Sequence, residues 1–98
     1  MSEYDYKQLD DIIHSRIRLA VMAILYSTEQ AHFTYLRDKI NVTDGNLSVQ
    51  LRKLDEAKYI STNKSFSHRK PVSSYRMTKK GRKAFEQYLK FLGKILKA

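Results

Sequence analysis

The chain has no cysteine, one proline, three scattered glycines and only ten carboxylates among its 98 residues. Each shortage excludes something. Without cysteine there is no disulfide framework, no thiolate metal site and no cysteine nucleophile. Glycines this few leave no glycine-rich loop to cradle phosphates. No apolar run approaches the roughly 20 residues needed to span a bilayer, and the opening MSEYDYKQLDD is acidic and polar, unlike a secretory signal. A soluble cytoplasmic protein is expected, and the length suits one domain that buries its own modest core.

What the chain does have is positive charge. Nineteen Lys and Arg against ten Asp and Glu give a formal charge of +9 and a pI near 9.9. A surplus of this size favours polyanionic partners and costs self-repulsion without one. Glu3, Asp5, Asp10 and Asp11 face only Lys7 within residues 1–15, so the remainder is more basic still. Nucleic acid is the first candidate and an anionic membrane surface the second.

The stretch TDGNLSVQLRKLDEA, Thr43 to Ala57, organises the rest. On a helix Leu47, Leu51 and Leu54 share one stripe, leaving Gly45, Asn46, Ser48, Val49, Arg52 and Lys53 on the other sides. Short, hydrogen-bonding and basic residues suit a DNA major groove, where Arg and Lys match guanine and Asn and Gln match adenine. Before it, residues 9–27 read as a first helix with Asp10 and Asp11 near its N-terminus. Leu19 to Tyr26 is apolar all round, which predicts burial on most sides, partly against a second subunit. A polar connector, residues 27–32, leads to a short helix at 33–40 with Thr34 as its expected N-cap and Leu36 and Ile40 inward. Val42 plugs the corner before Thr43 or Asp44 caps the next helix. Two helices joined by about three residues have the layout of a helix-turn-helix.

After Lys58 the period changes. Residues 59–66 and 72–77 alternate in the manner of strands, and the basic tip Ser67-His68-Arg69-Lys70-Pro71 between them predicts a hairpin. Its cations suit phosphates or a minor groove. Thr78 then caps a last helix running to residue 97, with Phe85, Tyr88, Leu89, Leu92, Ile95 and Leu96 along one stripe and lysines elsewhere. Such a helix pairs with a second subunit or lies on an anionic membrane, and pairing is favoured because the first helix also has apolar surface to spare.

The order α-α-α-β-β-α, mainly helical with a small β-hairpin and an extended C-terminal dimerisation helix, resembles the winged-helix transcriptional regulators related to the MarR and ArsR groups. HSRIRLAVMAIL, FTYLRDKINVTDGNLSVQLRKLDEAKYI, SFSHRKPVSSYRMT and KKGRKAF carry the resemblance, which covers nearly the whole chain from Leu9. It implies one winged-helix DNA-binding domain: a flexible acidic segment at 1–8, a first helix at 9–27, the helix-turn-helix at 34–58, the wing at 59–77 and the last helix at 78–97. It further implies a homodimer joined through first and last helices (Ile13, Ile17, Phe85, Tyr88, Leu89, Leu92, Ile95, Leu96) on a pseudo-palindromic double-stranded operator. Asn46, Ser48, Gln50, Arg52 and Lys53 would face DNA, with Arg69 and Lys70 on the wing, and Thr34, Lys64 and His68 complete the candidate set. Two departures stand out. Lys58 occupies a helix-terminating position where relatives usually carry glycine, which predicts a left-handed lysine. The ArsR-type cysteine metal motif is absent.

Catalysis is not expected: His14, His32 and His68 have no ligand spacing with carboxylates, and no triad context surrounds any serine. No metal or cofactor is implied. A winged helix can also present its helix or wing to a protein, so an interaction module without specific DNA binding is the alternative function. RNA ranks below both, since no aromatic stacking platform stands out.

Overall fold

Asp10 decides where the first helix begins. Its Oδ1 accepts from the amides of Ile12 (2.8 Å) and Ile13 (3.1 Å), a local turn that competes with helix, and Ser15 follows in extended conformation at φ −153°. In the computed structural model, which describes residues 4–97, α1 therefore spans Arg16–Ser27 rather than 9–27. A single 3-10 turn at Tyr6–Gln8 precedes it, so the segment expected to be flexible has local structure where it is described; residues 1–3 lie outside the described residues. The turn drops Ile13 fully into the core and carries the second carboxylate oxygen of Asp10 onto the Tyr59 hydroxyl. Within α1 Val21, Met22 and Leu25 are buried, whereas Ala23 is exposed, so burial is one-sided within the single chain.

Helix α2 (Phe33–Ile40) starts one residue before Thr34; its N-cap is His32, without a side-chain bond, and Thr34 lies inside the first turn. It ends at Asn41, left-handed at φ 60° and ψ 57°, a conformation asparagine tolerates better than most residues. Helix α3 (Asp44–Glu56) is capped as expected by Thr43, whose Oγ1 accepts from the Asn46 amide at 3.2 Å. Its far end is a Schellman motif: the Tyr59 amide donates to the Leu54 carbonyl (3.0 Å) and the Lys58 amide to the Asp55 carbonyl (2.8 Å). Lys58 is left-handed at φ 65°, as its position predicts, which costs about 1 kcal/mol relative to glycine.

The wing keeps its expected span, but its strands are longer and its tip shorter than expected. Strands β2 (Ile60–Ser67) and β3 (Lys70–Met77) pair in register from Ile60 opposite Met77 to Ser67 opposite Lys70. The tip is only His68-Arg69, at φ 52° and 64°, the mirror-image turn that matches strand twist. Pro71 is a strand residue opposite Phe66, tolerated because β3 there has a partner on one side alone. A two-residue strand β1, Ala31–His32, falls in the supposed connector and pairs with Tyr75 and Ser74, giving the antiparallel order β1-β3-β2.

Helix α4 (Lys79–Lys97) follows Thr78, whose Oγ1 accepts from the Gly81 amide at 3.0 Å and donates to the Lys58 carbonyl at 2.7 Å. Its buried line runs through Gly81, Phe85, Tyr88 and Phe91. The expected stripe is therefore rotated: Phe91 is inside, while Leu89 and Leu96 are 41% and 79% exposed. The core joins Ile13, Val21, Met22, Leu25, Leu36, Leu47, Leu51, Leu54, Ile60 and Phe85. The radius of gyration of 14.6 Å exceeds the roughly 13 Å of a compact chain of about 100 residues, in keeping with principal extents of 54 × 25 × 21 Å.

The Asp10–Tyr59 contact makes stability pH-dependent. Burial first, then the Asp10 carboxylate, pushes the Tyr59 hydroxyl up from 10.0 to about 12. A proton held more tightly by the folded than the unfolded chain stabilises the fold fully below pH ~10, and that contribution is lost as pH rises toward ~12. The denaturation midpoint is expected to fall across this window, with a smaller fall in Tyr59→Phe; identical profiles for the two proteins contradict the assignment.

Candidate nucleic-acid interface

Packing of Leu47, Leu51 and Leu54 into the core turns the opposite side of α3 to solvent. Asn46, Ser48, Arg52 and Lys53 are exposed there, as is Val49 at 41%, an apolar contact suited to a thymine methyl. Gln50 is different: it is half-buried, its Oε1 accepts from the Arg18 guanidinium and its Nε2 donates to Asn46 Oδ1 at 3.0 Å. Arg18 was not singled out by sequence, because an arginine on an amphipathic helix carries no mark of its long-range partners.

The wing brings Lys64, His68, Arg69 and Lys70 to the surface, all exposed. Lys64 lines a groove of about 320 Å³ with Ser48 and Arg52, so the wing strand and α3 share one cleft. Asp55 and Glu56 also border this cleft; Asp55 Oδ2 accepts from the Thr62 hydroxyl at 2.7 Å, tying α3 to β2. Thr34 sits apart, in a second groove of about 500 Å³ between the start of α2 and the distal wing, with Phe33, Phe66, Pro71 and Val72.

Charge is arranged in the same sense. Residues 60–97 hold eleven Lys and Arg and a single carboxylate, Glu86. Among the described residues the ion pairs use only Arg37 and Arg76: Arg37 bridges Asp38 (3.0 Å) and Asp44 (3.1 Å), and Arg76 meets Glu29 at 3.4 Å. Asp38 first, then Asp44, holds the Arg37 guanidinium charged above its ordinary range, and Arg37 in return offsets the one carboxylate in the first turn of α3. Among the described residues Arg52, Lys53, Lys64, Arg69 and Lys70 have no carboxylate partner.

A Cβ added at Gly45 would meet nothing within 4 Å, so nothing inside the chain requires glycine there. Gly45→Ala is expected to stabilise the free protein by up to about 0.5 kcal/mol, and to weaken DNA binding if a phosphate approaches the bare backbone there. Equal affinity of the two proteins for one duplex would show that this helix end stays clear of DNA.

The residues assigned to a dimer interface divide. Ile13, Phe85 and Tyr88 are consumed by the chain's own core, at 0%, 4% and 3% exposure, and offer no face to a second subunit. Ile17, Leu92 and Ile95 are half-buried, and Leu89 and Leu96 exposed. His14 contacts the Tyr88 hydroxyl at 2.8 Å through Nδ1. Among the described residues no group of three or more His, Cys, Asp or Glu is placed to hold a metal ion, and no helix is long and apolar enough to cross a membrane.

Known proteins share this arrangement. An uncharacterised protein of Methanocaldococcus jannaschii is 40% identical over 78 residues, 80% of this chain and 85% of the relative. The transcriptional regulator homologue of Pyrococcus horikoshii superposes with a TM-score of 0.89 over 99% of this chain and 96% of its own, at 24% identity. NadR, solved with 4-hydroxyphenylacetate, superposes at 0.68 over 94% of this chain and 65% of its own, at 16% identity. These two likenesses describe the fold. Residues 17–96 match the winged helix DNA-binding domain family, and with four-fifths of the chain inside that match, the chain belongs to this family.

Proposed function

We propose that this chain is a sequence-specific, double-stranded DNA-binding transcriptional regulator of the cytoplasm that acts as a homodimer rather than as an enzyme. Helix α3 enters the major groove, and the wing lies on the backbone or in the adjacent minor groove. One observation carries this reading: Arg52, Lys53, Lys64, Arg69 and Lys70 line neighbouring exposed surfaces of α3 and the wing without a carboxylate partner. Cations left unpaired in this way gain most from phosphates. Strain agrees, since His68 and Arg69 accept positive φ at the wing tip, where glycine or asparagine costs less.

Dimerisation is supported by the apolar side chains that the fold leaves on α1 and α4, chiefly Leu89 and Leu96 with Ile17, Leu92 and Ile95 beside solvent. A two-fold dimer places its recognition helices about one helical turn apart and suits a pseudo-palindrome with half-sites roughly 10 bp apart. A protein partner is the second reading, favoured by Phe66, 77% exposed on the wing groove. Binding to random-sequence duplex across a salt series, with sedimentation of the free protein, separates the two. Tight binding by a dimer that weakens steeply with salt supports the regulator; absent or salt-insensitive binding overturns it in favour of a protein partner.

A further inference from the structure

Arginine can donate hydrogen bonds but cannot accept them. That asymmetry propagates along a chain of three side chains from α1 to the recognition helix. The Arg18 guanidinium is fixed by the Ile12 carbonyl through Nε and the Asp11 carbonyl through Nη2 (3.4 Å), and its Nη1 donates to Gln50. Only the oxygen of the Gln50 amide can face Arg18, so its nitrogen faces Asn46. Only the oxygen of the Asn46 amide can receive that nitrogen, and it does so at 3.0 Å. Asn46 Nδ2 is then turned outward, with no acceptor on it among the described residues.

We infer that Arg18 and Gln50 are positioning residues that hold Asn46 with its hydrogen-bond donor foremost, so that Asn46 prefers an acceptor edge of DNA over the two-bond match to adenine. This rests on the DNA-binding reading above and deepens it. An asparagine matches adenine by accepting from N6 while donating to N7, with both atoms turned to the base. Here the oxygen faces Gln50, with one of its two lone pairs already accepting, and the Nδ2 donor is the atom turned outward. Guanine, with O6 and N7 both accepting, and thymine, through O4, are the edges a donor finds in the major groove. The general match of asparagine to adenine is thereby disfavoured at Asn46, and Gln50 becomes the support of a contact rather than a contact.

Reversing the polarity of the relay tests it. In Gln50→Glu the carboxylate still accepts from Arg18 but cannot donate to Asn46, whose amide must turn its nitrogen inward and present its oxygen. Preferred half-sites would be selected from a random-sequence duplex library with the full-length wild type and with Gln50→Glu. Affinities would then be measured on duplexes varied at each position. The expected result is a change at one position of each half-site from guanine or thymine to adenine or cytosine, about tenfold in the ratio of affinities, with other positions unaltered. Arg18→Met, which releases Gln50, should flatten preference at that position alone. A uniform loss on all duplexes, or an unchanged preference, overturns the relay while leaving DNA binding intact. Failure of the wild type to bind any duplex overturns the DNA-binding reading itself, and the relay with it.

Discussion

Gly81→Ala is expected to lower stability by about 3 kcal/mol, at the upper end of what overpacking costs. A Cβ at position 81 would stand 2.0 Å from the Tyr59 carbonyl oxygen, 2.8 Å from its carbonyl carbon and 2.9 Å from its Cα. All three are backbone atoms, so no rotamer change relieves the clash. The Tyr59 carbonyl also accepts from the Thr78 amide at 3.1 Å, and Thr78 Oγ1 bridges Lys58 and Gly81. Moving α4 away from Tyr59 therefore strains the joint at which the end of α3, the start of β2 and the start of α4 meet. For a domain of this size the melting temperature should fall by roughly 15 °C. Gly93→Ala on the same helix is the control: no atom lies within 4 Å of its added Cβ, and the change should stabilise by up to about 1 kcal/mol. Equal shifts for the two variants would show that the Tyr59 approach yields easily.

Operator affinity is expected to fall by about 10³ to 10⁵ between roughly 50 and 200 mM salt, the loss for a protein making about 6–10 phosphate contacts. In the proposed homodimer the unpaired cations of α3 and the wing supply a number of that order. Arg69→Ala with Lys70→Ala should weaken binding to every duplex alike and reduce the log–log salt slope by about 0.9 for each phosphate contact removed. Arg52→Ala should differ in kind, costing about 1–3 kcal/mol on the preferred sequence and relaxing discrimination at one position. Titration of labelled duplex by each variant at several salt concentrations separates the two. If the wing double variant keeps the wild-type slope, the tip does not reach phosphate and its strain serves some other contact.

Local order was legible wherever one side chain and its near neighbours determine it. Leu47, Leu51 and Leu54 at helical spacing are buried together, Thr43 caps α3, and Lys58 is left-handed, because spacing and capping are short-range properties. The exposed positions of Asn46, Ser48, Arg52 and Lys53 follow from the same stripe. The charge surplus is likewise a property of composition, and it narrows the partner before any geometry is known.

Tertiary structure decided what depends on residues far apart in the chain. Apolar spacing alone makes residues 9–27 one helix; Asp10 breaks it by binding Ile12 and Ile13 while holding Tyr59, 49 residues away. Strand β1 exists only because β3 offers a partner, since two residues carry no period of their own. On α4 the apolar stripe is wide enough to face inward in more than one rotation, and the packing of Phe85 and Tyr88 into the core sets a rotation that buries Phe91 and exposes Leu89. The same holds for Gln50. Composition and helical position turn it toward DNA, but the donor-only guanidinium of Arg18, 32 residues away, takes its oxygen and so sets which edge Asn46 presents. The sequence by itself determined the main elements, their order and the sign of the surface, because these are local or additive; where α1 starts, which side of α4 is inside and how the side chains of α3 are held are non-local, and packing alone decides them.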